Sequence, residues 1–345
     1  MENIYKKILL QKNSSNSKIL TTLSRNKFKT VIFLNKKKLY GIISDGDLRK
    51  KFFFKKKNLK IKNLINKKPT YFKINFNKKK ALELMKKKRL IIAPIVDKAN
   101  NLVGILDYYR SSGNNVYDFE AIIMAGGKGK RLAPLTNNIP KPMLRFHNKP
   151  IISYPIKQLE KYGVKKIFLS INYKKKYFEK FFKNKINIKL IKEKKFLGTA
   201  GSLTLIKKEL KYDNLIISNG DIITNINYNN LLKFHNQLNS DLTVCVKEFK
   251  QRIQYGIMKF KGSFLTEFLE KPTTSYHVNA GIYVVKKNLI NLVIKNKKFD
   301  MNDLIDISQK RNKKIAIFPL YEDWVDIGTK ENFINLKKNY WINKI

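Results

Sequence analysis

Cysteine is almost missing from this chain: Cys245 is the only one in 345 residues. No disulfide can close within the chain and no CxxC metal site exists, which suits a reducing compartment. The default place for such a lone thiol is the buried interior. Acid is scarce too, with 25 Asp and Glu against 73 Lys and Arg and a formal net charge of +48. No apolar run approaches the roughly 18 residues of a membrane span. Met1–Lys18 carries charge and asparagine but no signal-peptide core. The expectation is a soluble, cytoplasmic protein without a membrane partner.

So basic a balance raises nucleic acid as a partner. Arginine, however, occurs only eight times, and the lysines are spread along the chain instead of forming one block. Lysine, asparagine and isoleucine are what an AT-rich genome over-supplies. We read the charge as solvated lysine and expect no nucleic-acid binding; the field would still draw in phosphate-rich substrates. The 43% hydrophobic and 12% aromatic content is enough to build cores, and this length fits two domains of roughly 100–200 residues each.

The first third repeats itself. Val31-Ile-Phe-Leu34, a lysine turn and Leu39-Tyr-Gly-Ile-Ile-Ser44 predict a hairpin. Ala93-Pro-Ile-Val96, a polar turn and Leu102-Val-Gly-Ile-Leu-Asp107 have the same layout, with Gly41 and Gly104 in matching places. A helical stretch precedes each, most clearly Lys78–Lys88 with Ala81, Leu82, Leu84 and Met85 in register. The units fall at about 1–57 and 58–113. Ser111-Ser-Gly-Asn-Asn115 reads as a turn-rich joint, and a second domain spans 117–345.

In that second part, strands alternate with helices. Phe119–Met124 is a continuous apolar run, as in a buried parallel strand. Strands at Lys166–Ile171, Asn214–Ser218 and Leu242–Val246 follow, with helices through Ser153–Tyr162 and Asn229–Leu238. Alternation of this kind predicts an α/β fold, doubly wound and Rossmann-like with a mixed sheet, behind an α+β front unit. Tyr255–Phe260, Phe264–Glu270 and Gly281–Val285 read as added hairpin strands.

The chemistry concentrates in Met124-Ala-Gly-Gly-Lys-Gly-Lys-Arg-Leu-Ala-Pro-Leu-Thr136, followed by Ile139-Pro-Lys-Pro-Met143. A buried strand ends in a turn where Gly126, Gly127 and Gly129 let backbone N–H groups approach phosphate oxygens. Arg131 offers a fork-shaped cation and Lys141 a point charge on a proline-stiffened loop. A Walker loop fails because Arg131 follows Lys130 where Ser or Thr is needed. A dinucleotide fingerprint fails because Leu132 replaces its third glycine. Asn219-Gly-Asp221 follows a buried strand, which puts Asp221 at the carboxyl end of the sheet, where α/β folds bind ligands. Trp324-Val-Asp-Ile-Gly328 supplies a second acid, Asp326.

Nearly residue for residue, the glycine-rich stretch resembles the nucleotide-binding signature of sugar-1-phosphate nucleotidyltransferases. Leu197-Gly-Thr-Ala-Gly201 resembles that family's base-recognition loop, and Phe268-Leu-Glu-Lys-Pro272 and Val278-Asn-Ala-Gly281 resemble its sugar-phosphate contacts. The front repeat resembles a pair of CBS domains, with Gly41-Ile-Ile-Ser-Asp-Gly-Asp-Leu-Arg49 as the signature turn. The combination is similar to the guanylyltransferases that make GDP-glucosamine on the route to legionaminic acid.

These resemblances imply transfer of a nucleotidyl group from an NTP, GTP foremost, to a sugar-1-phosphate, with release of pyrophosphate, for cell-surface glycan synthesis. They imply Ala125, Gly126, Gly127, Gly129, Gly198 and Thr199 at the nucleotide, and Arg131, Lys141 and Lys271 as catalytic cations. Gly256, Glu270, Lys271 and Asn279 would meet the sugar phosphate, and Asp221 and Asp326 would hold Mg²⁺. The attacking phosphate is already ionised, so no general base is needed, and His147, His235 and His277 read as surface or loop residues. Ser44 and Asp47 would hold an adenine nucleotide, or would only cap a helix; the second repeat has Asp107 and Arg110 at those places. A homo-oligomer is expected. A chain starting at Tyr117 is expected to keep the chemistry. Two other readings stay open: a nucleotide-sensing regulatory protein with weak catalysis, and a uridylyl- or thymidylyltransferase of the same fold.

Overall fold

The computed structural model describes residues 3–26, 28–51, 61–112 and 118–335. The boundary near 57, Gly113–Asn115 of the joint and Tyr117 lie outside them. Among the described residues no helix is long and apolar enough to cross a membrane.

The front unit holds two three-stranded sheets of the same plan. In the first, β1 (Leu9–Gln11) runs parallel to β2 (Thr30–Asn35), which pairs antiparallel with β3 (Lys38–Ser44). Helix α1 (Asn16–Arg25) lies between β1 and β2, capped by the Ser15 side chain accepting from Lys18 N, and α2 (Asp45–Lys51) follows β3. In the second sheet β4 (Phe72–Lys73) is parallel to β5 (Ile92–Val96), which pairs antiparallel with β6 (Leu102–Asp107). Helix α3 (Lys78–Lys87) precedes β5, capped by Asn77, and α4 (Tyr108–Ser112) follows β6. The glycines occupy matching positions, Gly41 opposite Phe33 and Gly104 opposite Ile95, each beside a register shift. At Gly41 a Cβ would lie 2.6 Å from Ile65 Cγ2, so a side chain cannot fit. The sheets join where Leu39 N donates to Asn100 O and Leu102 N to Lys37 O.

The larger unit is built on a seven-stranded mixed sheet. Its strands are β7 (Glu120–Met124), β8 (Lys166–Ile171), β9 (Ile188–Lys192), β10 (Asn214–Asn219), β12 (Leu242–Arg252), β15 (Thr273–Lys286) and β16 (Ile315–Pro319), in the order β9-β8-β7-β10-β15-β12-β16. Strands β9, β8, β7 and β10 are parallel; β15 is antiparallel to both its neighbours. Gly281–Val285 is therefore no added hairpin but part of a central strand. Its unbroken apolar run Ile282-Tyr-Val-Val285 is what a strand covered on both faces requires. Helices α5 (Ser153–Lys161), α6 (Lys175–Phe182), α7 (Tyr228–Gln237) and α8 (Met301–Lys310) flank the sheet. A small ladder pairs β11 (Ile222–Thr224) with β17 (Trp324–Asp326) beyond the end of β10. The outer halves of β12 and β15 extend as an exposed arm. It carries the separate hairpin of β13 (Ile257–Lys261) and β14 (Phe264–Leu269). On one face of that ribbon Met258, Phe260, Leu265 and Phe268 are each more than half exposed.

One apolar core runs through both units. Ala81, Met85, Leu106 and Tyr108 of the front unit belong to the same cluster as Phe119, Ile156, Phe234 and Phe318. Cys245 is fully buried in β12.

His235, read from sequence as a surface or loop residue, is fully buried on α7, with Nδ1 2.8 Å from Thr243 Oγ1. His147 and His277 are exposed. Burial pushes the His235 pKa down to about 4; the Lys286 charge adds to this, Asp241 opposes it, and Arg89 adds a little more. An unfolded imidazole protonates near pH 6.5. Between those values the unfolded chain takes up a proton that the folded one refuses, so stability is full above pH 6.5 and falls as pH drops toward 4. The loss is about 3 kcal/mol. Urea midpoints from pH 7 to 4 should show it, and the profile of His235→Gln should be flatter; parallel profiles would remove His235 as the cause.

Candidate active site

The parallel strands β7, β8 and β10 end on one side of the sheet, and the chain gathers its unusual residues there. Beyond β7 the glycine turn opens a cleft of about 310 Å³. Its lining includes Ala125, Gly126, Gly127, Gly129, Arg131, Lys141, Gly198, Thr199 and Asp221, from four separate stretches of sequence. Gly129 has φ +65, and a Cβ there would lie 2.9 Å from Lys141 Cβ. No side chain suits that backbone or that space. At Gly127 no described atom lies within 4 Å of where a Cβ would sit, so its backbone is open to the cleft.

Opposite the turn, Gly198 is held by α8. Its φ is +80, and a Cβ would meet Asp300 Oδ1 and Phe299 O, each at 2.7 Å. Thr199 N donates to Asp300 Oδ1 at 2.9 Å, and Thr199 Oγ1 accepts from Met301 N at 2.8 Å. Ala200 N and Gly201 N both donate to Phe299 O. The Thr199 side chain is thus committed to anchoring the loop.

Glu193 was not anticipated from sequence. It is buried: Oε1 accepts from Ser170 Oγ at 2.6 Å and Oε2 from Leu197 N at 2.8 Å. A Cβ at Gly126 would come within 3.1 Å of Oε1. One carboxylate therefore ties β8 to the 197–201 loop and lies close against the glycine turn. Its signal was faint, a lone acid in Lys192-Glu-Lys-Lys195 directly after an apolar strand.

Lys141 sits in a one-turn 3₁₀ helix begun by Pro140, with Pro142 behind it. Its Nζ makes an ion pair with Asp221 Oδ2. Asp326 lies across from Asp221, because β11 and β17 pair Ile222 with Asp326 and Ile327 N donates to Asp221 O at 3.1 Å. Burial raises the Asp326 carboxyl above the usual carboxylate range and the Asp221 charge raises it further, while Lys141 and Arg131 pull the other way. Its Oδ1 is buried without a hydrogen-bond partner among the described residues. Arg131 closes the group; a Cβ at Gly328 would be 3.5 Å from its Nη2 and 3.4 Å from the Asp326 oxygens.

The cleft does not include the other candidates. Gly256, Glu270, Lys271 and Asn279 lie along the arm. Gly256 is packed against the Phe268 ring, and Lys271 Nζ is 3.5 Å from Glu270 Oε1. Asn279 Oδ1 accepts from Gly281 N. In the front unit, Asp47 Oδ2 accepts from both Ser44 N and Ser44 Oγ, at 2.8 and 2.6 Å. Both bonds run from Ser44 to Asp47, so the Asp47 carboxylate caps the Ser44 backbone N–H at the start of α2. In the second repeat Asp107 Oδ1 accepts from Arg110 N.

A glycine-lined anion cleft at the carboxyl end of a mixed α/β sheet, with two facing carboxylates and two cations, defines a protein built to handle phosphate groups. The description "Nucleotidyl transferase" fits residues 120–341 by family model, and "CBS domain" fits 61–109. The chain belongs to the nucleotidyl transferase family, with a CBS domain in front. It is 31% identical over 227 residues to the mannose-1-phosphate guanylyltransferase catalytic subunit beta of Danio rerio, covering 62% of each chain. It is 30% identical over 226 residues to the D-glycero-alpha-D-manno-heptose 1-phosphate guanylyltransferase of Aneurinibacillus thermoaerophilus, 64% of this chain and 97% of that one. The crystal structure of HddC from Yersinia pseudotuberculosis complexed with GMP-PN superposes with a TM-score of 0.52 at 27% identity, over 64% of this chain and 99% of that one. The chain spans less than two thirds of the length of the mannose-1-phosphate enzymes it matches.

Proposed function

We propose that this protein transfers a guanylyl group from GTP to a sugar-1-phosphate, giving a GDP-sugar and pyrophosphate. The observation that carries the reading is the cleft: the glycine turn, Arg131, Lys141, Asp221 and the Gly198–Thr199 loop line one pocket, with Asp326 beside it. Similarity to proteins named as guanylyltransferases supports the choice of base.

A sugar-phosphate oxygen attacks the α-phosphorus in line. The new P–O bond forms as the bond from α-phosphorus to the bridging oxygen breaks, and pyrophosphate leaves. Two polyanions must meet, so catalysis is positioning and charge cancellation. Open N–H groups of the glycine turn receive the phosphates, Arg131 faces the leaving pyrophosphate, and Lys141 offers its charge to the reacting phosphates. Asp221 and Asp326 suit Mg²⁺, which takes few protein ligands and keeps phosphates and waters. The buried, unpartnered Asp326 Oδ1 next to a second carboxylate fits such an ion. Bound Mg²⁺ supplies charge neutralisation at the phosphates. The sugar phosphate lies toward the arm, where Gly256, Glu270, Lys271 and Asn279 stand. An adenine nucleotide at Ser44 and Asp47 would have to displace their mutual hydrogen bonds.

The test is pyrophosphate release from GTP, UTP, dTTP and CTP at equal concentration, with mannose-1-phosphate, glucosamine-1-phosphate and heptose-1-phosphate as acceptors. A site shaped to the guanine edge leaves polar groups unpaired with a pyrimidine, at about 1–3 kcal/mol per lost contact. GTP is expected to win at least tenfold. A preference for UTP or dTTP would replace the guanylyl reading by the uridylyl or thymidylyl one.

A further inference from the structure

The segment Leu320–Ile327 is a strap from the outer strand β16 to the Asp326 strand β17. Its backbone is pinned repeatedly. Leu320 N donates to Val246 O, Lys247 Nζ donates to Leu320 O and Glu322 O, and Thr224 Oγ1 donates to Asp323 O. The Trp324 indole donates to Ala280 O at 2.9 Å. The Glu322 side chain is held from the other unit. Arg49 of α2 donates from Nη2 to both Glu322 oxygens at 2.9 Å, and from Nε to Asp45 Oδ2 at 2.5 Å. Arg49 is 1% exposed and Glu322 7%. The guanidinium lies 3.9 Å from the centroid of Phe318 and 4.9 Å from that of Tyr321.

Burying ions is a poor route to stability, since apolar side chains of like volume often do as well or better; what a buried pair does supply is a defined geometry. Here the geometry fixed is that of a strap whose Asp326 lies four residues past Glu322. We propose that Arg49 is a positioning residue for Asp326: the front unit reaches into the larger one and, through Glu322, sets the metal-side carboxylate against Asp221. This rests on the reading of Asp221 and Asp326 as a divalent-cation pair. The front unit is then part of the catalytic framework, and the glycine-cleft unit by itself lacks one of its supports.

The experiment uses the full chain. Mn²⁺ is the probe, its bound fraction read by electron paramagnetic resonance with GTP present; turnover with Mg²⁺ and thermal melting are read alongside. Arg49→Met keeps the side-chain length over Phe318 and Tyr321 but leaves Glu322 buried and unpaired. It should melt lower and bind Mn²⁺ about tenfold more weakly. Arg49→Met combined with Glu322→Met removes both charges. Its melting should return toward wild type while the Mn²⁺ affinity stays down and the Mg²⁺ concentration for half-maximal rate stays raised. Glu322→Gln keeps an acceptor for Arg49 and should recover most of the Mn²⁺ binding. A merely structural role would let affinity recover with stability. Wild-type Mn²⁺ binding in the double variant overturns the proposal. So does wild-type Mn²⁺ binding that Asp326→Asn leaves unchanged. Failure of every triphosphate and sugar pair to release pyrophosphate would instead strike the transferase reading, with the Mn²⁺ comparison still deciding Arg49.

Discussion

Replacing Asp326 by asparagine should lower turnover by on the order of a thousandfold or more, a loss typical of removing a group that stabilises transition-state charge, and should leave the fold intact. The second half of that expectation follows from the carboxyl's own environment. Its pKa is raised, first by burial and then by the neighbouring Asp221 charge. A carboxyl whose folded pKa lies above its unfolded value binds its proton better when folded, so its ionisation at neutral pH works against the fold. Asparagine removes that penalty, and in metal-free buffer Asp326→Asn should melt no lower than wild type. Asp221→Asn should be equally inactive but should melt lower, because it takes the partner from Lys141. Thermal melts with and without Mg²⁺, beside pyrophosphate release, separate the two. Substantial activity in the double variant with Mg²⁺ as the only divalent ion would defeat the assignment.

Removing the front unit should be as damaging. A chain starting at Tyr117 looks safe from sequence, because every catalytic motif lies beyond that point. The packing between the two units argues for the opposite outcome. Ala81, Met85, Leu106 and Tyr108 share one core with Phe119, Ile156, Phe234 and Phe318, and Arg49 closes over Glu322. A buried large apolar side chain contributes about 1.5–3 kcal/mol. Several lost together approach the whole stability of an ordinary domain, about 5–15 kcal/mol. A chain beginning at Asp118 should therefore be recovered mostly insoluble, and any soluble fraction should lack a cooperative melt. A soluble fragment with the melting temperature and activity of the full chain would refute this.

How much of this was legible follows from where each constraint is written. The glycine turn could be read because its geometry needs particular residue types next to one another. Strand β8 and helices α5 and α7 were placed to within a residue or two by their apolar periods. His235 was misread although the stripe Tyr228, Leu231, Leu232, His235 follows the helical period and points inward; the polar side chain obscured the pattern. The arm was harder. Its β12 half runs on from an apolar segment into exposed Glu248–Arg252, which reads as a loop. Glu193 hid among lysines. Arg49 was read as part of the CBS signature, and its partner stands 273 residues away. No local pattern announces an ion pair of that span, since only the packing of the two units brings it together.

The β13–β14 ribbon has a colloidal consequence. A two-stranded ribbon gains little from its own pairing, and this one turns Met258, Phe260, Leu265 and Phe268 toward solvent. Molecules that meet ribbon to ribbon would stick. What would oppose that contact is the same lysine excess that first suggested nucleic acid, a +48 charge whose repulsion reaches about 10 Å in 0.1 M salt and only about 3 Å in 1 M. The surplus of lysine would thus work as a dispersant for an apolar arm, and light scattering should rise as salt is added.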